Sequence, residues 1–205
     1  MEPLKSEDRR LREECKEVSI SELRTKALQA DIEELLAIVY GKNNKGEKRN
    51  ISKPMTVGLS ANQIGIMKRI SVVDLAVGHT TFNDIHVLIN PTITWHSKTF
   101  RIHREGCVNT PGINGVVKRY REVIVEALDR SGNKLTIRAK GWPATLLQHE
   151  IDHLQGYLFV DRLEDPTKAH VVESGGMNEY RKKWREWDAF VDVTPLLREN
   201  ISSVA

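Results

Sequence analysis

Apolar residues recur at helical spacing along residues 22–40, a stretch that ends at Gly41. Residues three or four positions apart lie on the same side of an α-helix, so this spacing predicts an amphipathic helix. We expect it to pack on the core through its apolar positions, which are Leu28, Ile32, Leu35, Leu36 and Val39.

A second helical pattern surrounds the string QHEIDH. Pro143 can occupy an early helical position, and Gly156 is suited to the end of a helix. The apolar positions between them are Leu146, Leu147, Ile151 and Leu154. The sequence therefore predicts that QHEIDH lies on a rigid helix.

Shorter runs rich in β-branched residues predict strands at 70–73, 86–89, 122–128 and 134–137, with the SGN tripeptide as a hairpin turn between the last two. Residues 173–190 predict a further helix, whose aromatic side chains we expect to dock on the body of the protein rather than on RNA. The expected fold is α+β, with short antiparallel strands packed around a central helix and with an N-terminal and a C-terminal helix.

Composition agrees with one domain spanning residues 1–205, since the chain is 40% hydrophobic and 29% charged. A net charge of +3 indicates no particular acidic partner. The basic stretch 42–53 is interpreted as a solvated loop, so no DNA contact is expected. No segment predicts a membrane span, and the charged N-terminus lacks the features of a targeting signal, so we expect a cytoplasmic location.

The string QHEIDH carries the first candidate chemistry. His149 and His153 are four residues apart, so on a helix they share one face and can clamp a metal ion with Glu150 beside it. A hydrolytic metal site needs three protein ligands and an open position for water. The HExxH pattern also arises by chance on amphipathic surface helices, so a third ligand from elsewhere is needed.

Two other segments supply candidate partners for this helix. Cys107, in the turn-rich stretch EGCVNTPG close to the predicted strand 122–128, could reach it. With only Cys15 and Cys107, no multi-disulfide framework is available, and a free thiol near an electropositive centre is the form that binds metals. In VGLSANQIGI, Gly58 permits close approach of another backbone or a ligand, and the amide of Gln63 could polarise a carbonyl.

Together, the segments GLSANQ, EGC and QHEIDH resemble the peptide deformylase family in type and order. The segment DRRLREECKEV is similar to the family's N-terminal strand region, and EALDRSGNKLTIRAKG is similar to its hairpin before the metal helix. The interval from Cys107 to His149 also matches bacterial members. The resemblance covers about residues 7–165 and leaves 166–205 as a C-terminal helical extension.

The resemblance implies an enzyme that removes the N-formyl group from the formylmethionine of new polypeptides and releases formate. Gly58 and Glu105 are assigned to substrate binding, Gly58 by holding the peptide as an added strand and Glu105 by supporting the site from behind. The implied metal ligands are Cys107, His149 and His153, the implied acid/base is Glu150, and the implied oxyanion donors are Gln63 and the backbone N–H of Val108.

One cysteine and two histidines suit either Zn²⁺ or Fe²⁺ by ligand softness. The resemblance implies one divalent ion, Fe²⁺ in cells, with Zn²⁺ or Ni²⁺ as other occupants. It also implies N-formylmethionyl peptides and nascent chains as partners, with transient ribosome contact as a further expectation.

Two departures from the family pattern bear on the substrate. Asn114 stands where many members carry an arginine, and the segment 41–54 looks inserted. The alternatives are an amidase acting on another N-acylated substrate, a zincin-type endopeptidase, and a non-catalytic metal-binding homologue. A zincin's third ligand usually follows HExxH, and a purely structural site needs neither Glu150 nor Gln63, so both of these are less favoured.

Overall fold

The computed structural model describes residues 2–40, 56–76 and 84–198. Four α-helices lie in these ranges: α1 Ile20–Leu23, α2 Lys26–Tyr40, α3 Trp142–Leu154 and α4 Met177–Lys183. The strands are β1 Gly58–Ser60, β2 Ile70–Asp74, β3 Ile85–His96, β4 Phe100–Gly106, β5 Ile113–Tyr120, β6 Glu122–Leu128, β7 Lys134–Lys140, β8 Ala169–Val171 and β9 Phe190–Val191.

The strands form two antiparallel sheets. The larger has the order β1-β2-β3-β6-β7, and the smaller has the order β4-β5-β8-β9. Helix α3 contacts β1, β2, β3, β6 and β7 of the first sheet and β5 of the second. The expected mixed fold of helices and antiparallel sheets is therefore observed, and α3 contacts both sheets.

The predicted QHEIDH helix is confirmed with its expected ends. Pro143 lies in the first turn of α3, and Gly156 follows the helix with a positive φ of 77°. A left-handed residue after the last turn commonly ends a helix, and glycine adopts it without a Cβ clash. Leu147 and Leu154 are fully buried, so the apolar face anchors the helix in the core.

The predicted helix 22–40 is observed as two helices, α1 and α2, with a break between Leu23 and Lys26. Ser19 caps the short helix α1, with its Oγ accepting from Glu22 N. Thr25 Oγ1 then accepts from Leu28 N at 3.2 Å, so a new helix begins beside it. The apolar face of α2 is buried as predicted, whereas Gly41, the inserted segment 41–54 and the basic stretch 42–53 lie outside the described residues.

The predicted strands are observed, although three of the four extend further than expected. The SGN turn is confirmed, because Gly132 has a positive φ of 89° and Asp129 N donates to Asn133 O between β6 and β7. Sequence reasoning missed β4 and β5. The turn-rich stretch that holds Cys107 gives way to β5 at Ile113, and its partner β4 leads directly to Cys107.

The secondary structure of the N-terminal and C-terminal segments differs from the prediction. The segment similar to an N-terminal strand forms a 3₁₀ turn at Arg9–Arg12 and a single bridge from Lys16 to Lys68. Of the predicted helix 173–190, only Met177–Lys183 is α-helical. A 3₁₀ turn at Trp184–Glu186 follows, and the chain then adds β9 beside β8. Its aromatics do dock on the body, with Tyr180 fully buried and Trp187 Nε1 donating to Val171 O at 2.8 Å. No helix in the described ranges is long and apolar enough to cross a membrane.

Candidate metal centre and active-site cavity

Helix α3 places two imidazoles side by side. The Nε2 atoms of His149 and His153 lie 3.1 Å apart, and their ring planes are almost perpendicular at 84°. His153 is fully buried, and the side chain of His149 is 11% exposed. The two imidazoles that were expected to share one helix face therefore lie side by side.

Cys107 joins the pair from the end of β4. Its Sγ lies 3.4 Å from His153 Nε2, and the ligand atoms of Cys107, His149 and His153 all lie within 4.8 Å of one another. Tetrahedral coordination would separate two imidazole nitrogens by about 3.3 Å and a thiolate sulfur from a nitrogen by about 3.6 Å. The three residues therefore fit a single divalent ion.

A buried carboxylate orients the outer histidine. Glu105 Oε2 lies 2.9 Å from His149 Nδ1, which leaves Nε2 of that ring to face the cluster. Arg119 donates from Nε and Nη2 to the two oxygens of Glu105, at 2.9 Å each. Burial alone would raise the pKa of Glu105, but Arg119 and His149 hold it well below its usual range.

The same arginine continues the network to the back of α3. Its Nη1 contacts Asp152, and Asp152 Oδ1 also accepts from Arg162 Nη2 at 2.6 Å. Arg119, Glu105 and Asp152 are each less than 10% exposed. Each of these buried charged groups thus contacts a group of opposite charge. Such pairing offsets the cost of removing the charges from water.

Glu150 lies beside the cluster and is 3% exposed. Ser60 Oγ lies 2.7 Å from its Oε2. Burial raises the pKa of Glu150, while the charge of His149 and the Ser60 hydroxyl oppose that rise. A carboxyl group with a raised pKa is suited to exchanging protons near neutral pH.

Gln63 is fixed within a 3₁₀ turn, Ala61–Ile64, that packs on α3. Its Oε1 accepts from Ser60 N at 2.7 Å. Its Nε2 donates to Asn109 Oδ1 at 2.8 Å and lies 3.3 Å from Cys107 Sγ. The amide nitrogen therefore lies directly beside the candidate metal ligands.

Val108 follows the cysteine in an irregular stretch, and its side chain is exposed. Among the hydrogen bonds of the described residues, none uses the backbone N–H of Val108. This N–H is thus free to donate a hydrogen bond to a ligand oxygen beside Cys107.

Strand β1 forms an edge of the larger sheet, because it pairs only with β2. Its first residue, Gly58, packs against the helix so closely that an added Cβ would lie 2.5 Å from Glu150 Oε1 and 2.9 Å from Leu146 Cδ1. A larger residue here would therefore force the ends of the Glu150 and Leu146 side chains to shift.

A cavity of about 360 Å³ opens on the cluster. Trp142, Thr145 and Leu146 of α3 form part of its wall. Seven of the eight predicted site residues also line it: Gly58, Gln63, Glu105, Cys107, Val108, His149 and Glu150. His153 lies behind the wall in contact with Cys107 and His149, so the structure brings all eight residues together.

Sequence reasoning missed several residues that support this site. Ser60 was assigned no role, yet it contacts Glu150. Asn109 was also assigned no role, yet it accepts from Gln63 and donates to Leu4 O at 2.7 Å, which links Gln63 to the N-terminal segment. A signal for Asp152 was present, since it stands inside QHEIDH, but nothing local identifies Arg119 as its partner.

The matches of this chain to known proteins agree with one another. The family model for polypeptide deformylase matches residues 2–169. A peptide deformylase of Acetivibrio thermocellus is 36% identical over 179 residues, which are 87% of this chain and 92% of the relative.

Solved structures give the same result. A class I type b peptide deformylase from Acinetobacter baumannii has a TM-score of 0.68 and 28% identity, covering 80% of this chain and 98% of its own. The same protein is also known bound to Met-Ala-Ser. Peptide deformylase 1B of Arabidopsis thaliana has a TM-score of 0.67 and 27% identity, covering 91% of this chain and 89% of its own. This chain therefore belongs to the polypeptide deformylase family.

Proposed function

We propose that this protein removes the N-formyl group from the N-terminal formylmethionine of newly made polypeptides and releases formate. The observation that carries the proposal is the convergence of Cys107, His149 and His153 beside a buried Glu150 at one cavity, in a chain of the polypeptide deformylase family. We treat residues 1–205 as one unit, because the segment after the family match still contributes to the cavity wall.

Cys107, His149 and His153 would hold one divalent ion, with Fe²⁺, Zn²⁺ and Ni²⁺ all compatible with the donor set. When bound, the ion supplies Lewis acidity and lowers the pKa of a coordinated water. Glu105 positions His149 through Nδ1, so the ring presents its other nitrogen to the ion.

Glu150 is the proposed general acid and base. Its carboxylate takes a proton from the attacking water and delivers it to the leaving α-amine, so the reaction yields formate and a free N-terminus. The Ser60 hydroxyl holds one carboxylate oxygen in place during this transfer. The raised pKa of Glu150 makes its carboxylate a better acceptor for the proton of the water than an unperturbed glutamate.

Gln63 and Val108 are the proposed oxyanion donors. As water adds to the formyl carbon, negative charge grows on the formyl oxygen, where the Gln63 amide and the Val108 N–H can donate hydrogen bonds. Removing one such donor typically costs about 2.7–4 kcal/mol of transition-state stabilisation.

The edge of β1 is the proposed site for the peptide backbone. An extended peptide beside Gly58 would add a strand to the larger sheet, with affinity from main-chain hydrogen bonds. The methionine side chain would enter the part of the cavity walled by Trp142, Thr145 and Leu146. The Met-Ala-Ser ligand of the Acinetobacter relative has the corresponding N-terminal residue. Transient ribosome contact and a cytoplasmic location stay predictions from the sequence.

In the test, the metal-loaded protein is prepared without oxygen. It is then incubated with formyl-Met-Ala-Ser, acetyl-Met-Ala-Ser or unmodified Met-Ala-Ser. We expect formate from the first alone, and we expect Glu150→Ala to abolish its release while retaining the metal. Preferred release of acetate would favour the amidase alternative. Cleavage of internal peptide bonds would favour an endopeptidase, and full metal occupancy without turnover would favour a non-catalytic homologue.

A further inference from the structure

The chain returns to the active-site cavity after the family match ends at residue 169. Helix α4 contributes Met177 and Arg181 to the cavity wall. The C-terminal segment therefore forms part of the wall that faces a bound substrate.

Tyr180 fixes α4 in this position. Its ring is fully buried, its hydroxyl lies 2.9 Å from His170 Nδ1, and it packs edge-on against Trp187 with ring centroids 5.2 Å apart. These contacts anchor the residue immediately before Arg181, so they hold the Arg181 backbone at the cavity wall.

A second arginine reaches the same wall from β4. The guanidinium carbon of Arg104 lies 5.9 Å from the centroid of the Tyr180 ring, and the residue is half-buried. Burial lowers the pKa of Arg104, and the positive charge of Arg181 lowers it further. The two guanidinium groups are thus close enough to repel each other at the cavity.

Neither arginine has a carboxylate partner within residues 2–40, 56–76 and 84–198. The two carboxylates of the cavity are already engaged, since Glu105 binds Arg119 and His149, and Glu150 contacts Ser60. Two guanidinium groups without a carboxylate partner on one wall create a positive local potential, which favours binding of an anion.

We propose that Arg104 and Arg181 form a subsite for a carboxylate side chain of the formylated peptide, beyond its first residue. The protein would then process N-terminal sequences with an aspartate or glutamate downstream of methionine more efficiently than neutral ones. This inference rests on the proposed function, because it takes the peptide to occupy this cavity. The arginines share the wall with the metal-ligand cluster, which favours a peptide over a nucleic acid as the anion.

The test uses metal-loaded, full-length protein and C-terminally amidated formyl-Met tetrapeptides, so that a side chain supplies the sole carboxylate. Glu, Gln or Lys is placed in turn at the second, third and fourth positions, and kcat/KM is measured by formate release. The variants are Arg104→Gln, Arg181→Gln, their double variant and Arg181→Glu. The matched control is Lys182→Gln, which removes an exposed charge of α4 that does not line the cavity.

We expect kcat/KM to be higher for the Glu peptide than for the Gln peptide at one position at least. Each arginine should contribute a factor of about two to five, mainly through a lower KM. The double variant should lose this preference, Arg181→Glu should shift it towards Lys, and Lys182→Gln should retain it. Added salt should weaken it. Equal rates for Glu and Gln peptides in the wild-type protein, or a preference that survives in the double variant, would overturn the subsite.

Binding of the corresponding unformylated Met peptides, measured by calorimetry, separates the subsite from the proposed function. Arginine-dependent tighter binding of the Glu peptides without formate release would support the subsite and refute deformylation. Equal peptide binding, with loss of affinity for a ribosomal RNA hairpin in the double variant, would assign the arginines to nucleic acid and overturn the inference.

Discussion

The Nδ1 atom of His149 lies 2.9 Å from Oε2 of Glu105, and this contact joins the candidate metal ligands to a buried network of charges. Arg119 is the centre of that network, since it contacts both Glu105 and Asp152. The histidine is therefore oriented by residues from β4, β5 and the far side of α3.

Removal of Arg119 should destabilise the fold. Arg119→Ala leaves the buried carboxylates of Glu105 and Asp152 without their shared partner, so we expect a loss of about 3–5 kcal/mol in the free energy of unfolding. Urea denaturation of metal-free protein measures this loss without a contribution from metal binding. Lys118→Ala is the matched control, because this exposed neighbour on β5 contacts only the ring of Phe100 among the described partners and should cost about 0.5–1 kcal/mol. Equal losses in the two variants would refute the network's role.

A methyl group at position 58 should impair catalysis more than folding. In Gly58→Ala the new Cβ would press on Glu150 Oε1 and Leu146 Cδ1, so the carboxylate must move. A displacement of about 1 Å can cost about 100-fold in rate, and we expect a fall of that order in kcat/KM. The melting temperature and the metal content serve as controls and should change little. If kcat/KM were unaltered, the rate would not depend on the position of the Glu150 carboxylate, which would contradict its proposed role as acid and base.

The two thiols should differ in reactivity. Cys107 is partly exposed at the cavity, whereas Cys15 is 3% exposed in the core. With a thiol reagent, the metal-free native protein should expose one reactive thiol, the metal-loaded protein none, and the unfolded protein both. Cys107→Ser should abolish the native reaction. A native thiol that reacts equally with and without metal would argue against Cys107 as a ligand.

Cys15 should make stability depend on pH in the alkaline range. Burial raises the pKa of its thiol from 9.0 to about 12, so the folded protein retains a proton that the unfolded chain loses between these values. The stability contribution is complete below pH 9 and declines as the pH rises through this window, by at most about 1.4 kcal/mol per pH unit. The difference in unfolding free energy between wild type and Cys15→Ala should therefore shrink above pH 9. A difference that stays constant to pH 11 would contradict this expectation.

The placement of the two histidines was predictable because its signals are local in sequence. The spacing of His149 and His153 fixes their common helix face, and Pro143 and Gly156 mark the helix ends. The approach of Cys107 followed from the resemblance to the family, and the structure places its Sγ 3.4 Å from His153. The roles of these residues in binding and catalysis stay predictions.

The supporting structure was less predictable because it depends on contacts distant in sequence. Arg119 is 33 positions from Asp152, and no local pattern pairs them. Strand β5 begins with Ile113, Asn114 and Gly115, which locally favour a turn, and it is the pairing with β4 that makes it a strand. The segment after Lys183 forms β9 through pairing with β8, which overrides its helical periodicity.

X-ray absorption spectroscopy of the metal-loaded protein tests the central claim most directly, namely that three residues from two segments bind one ion. We predict one ion per chain with one sulfur and two imidazole nitrogens among its ligands, and loss of the sulfur signal in Cys107→Asp. A bound ion with no sulfur ligand in the wild-type protein, or no stoichiometric metal at all, would contradict the account.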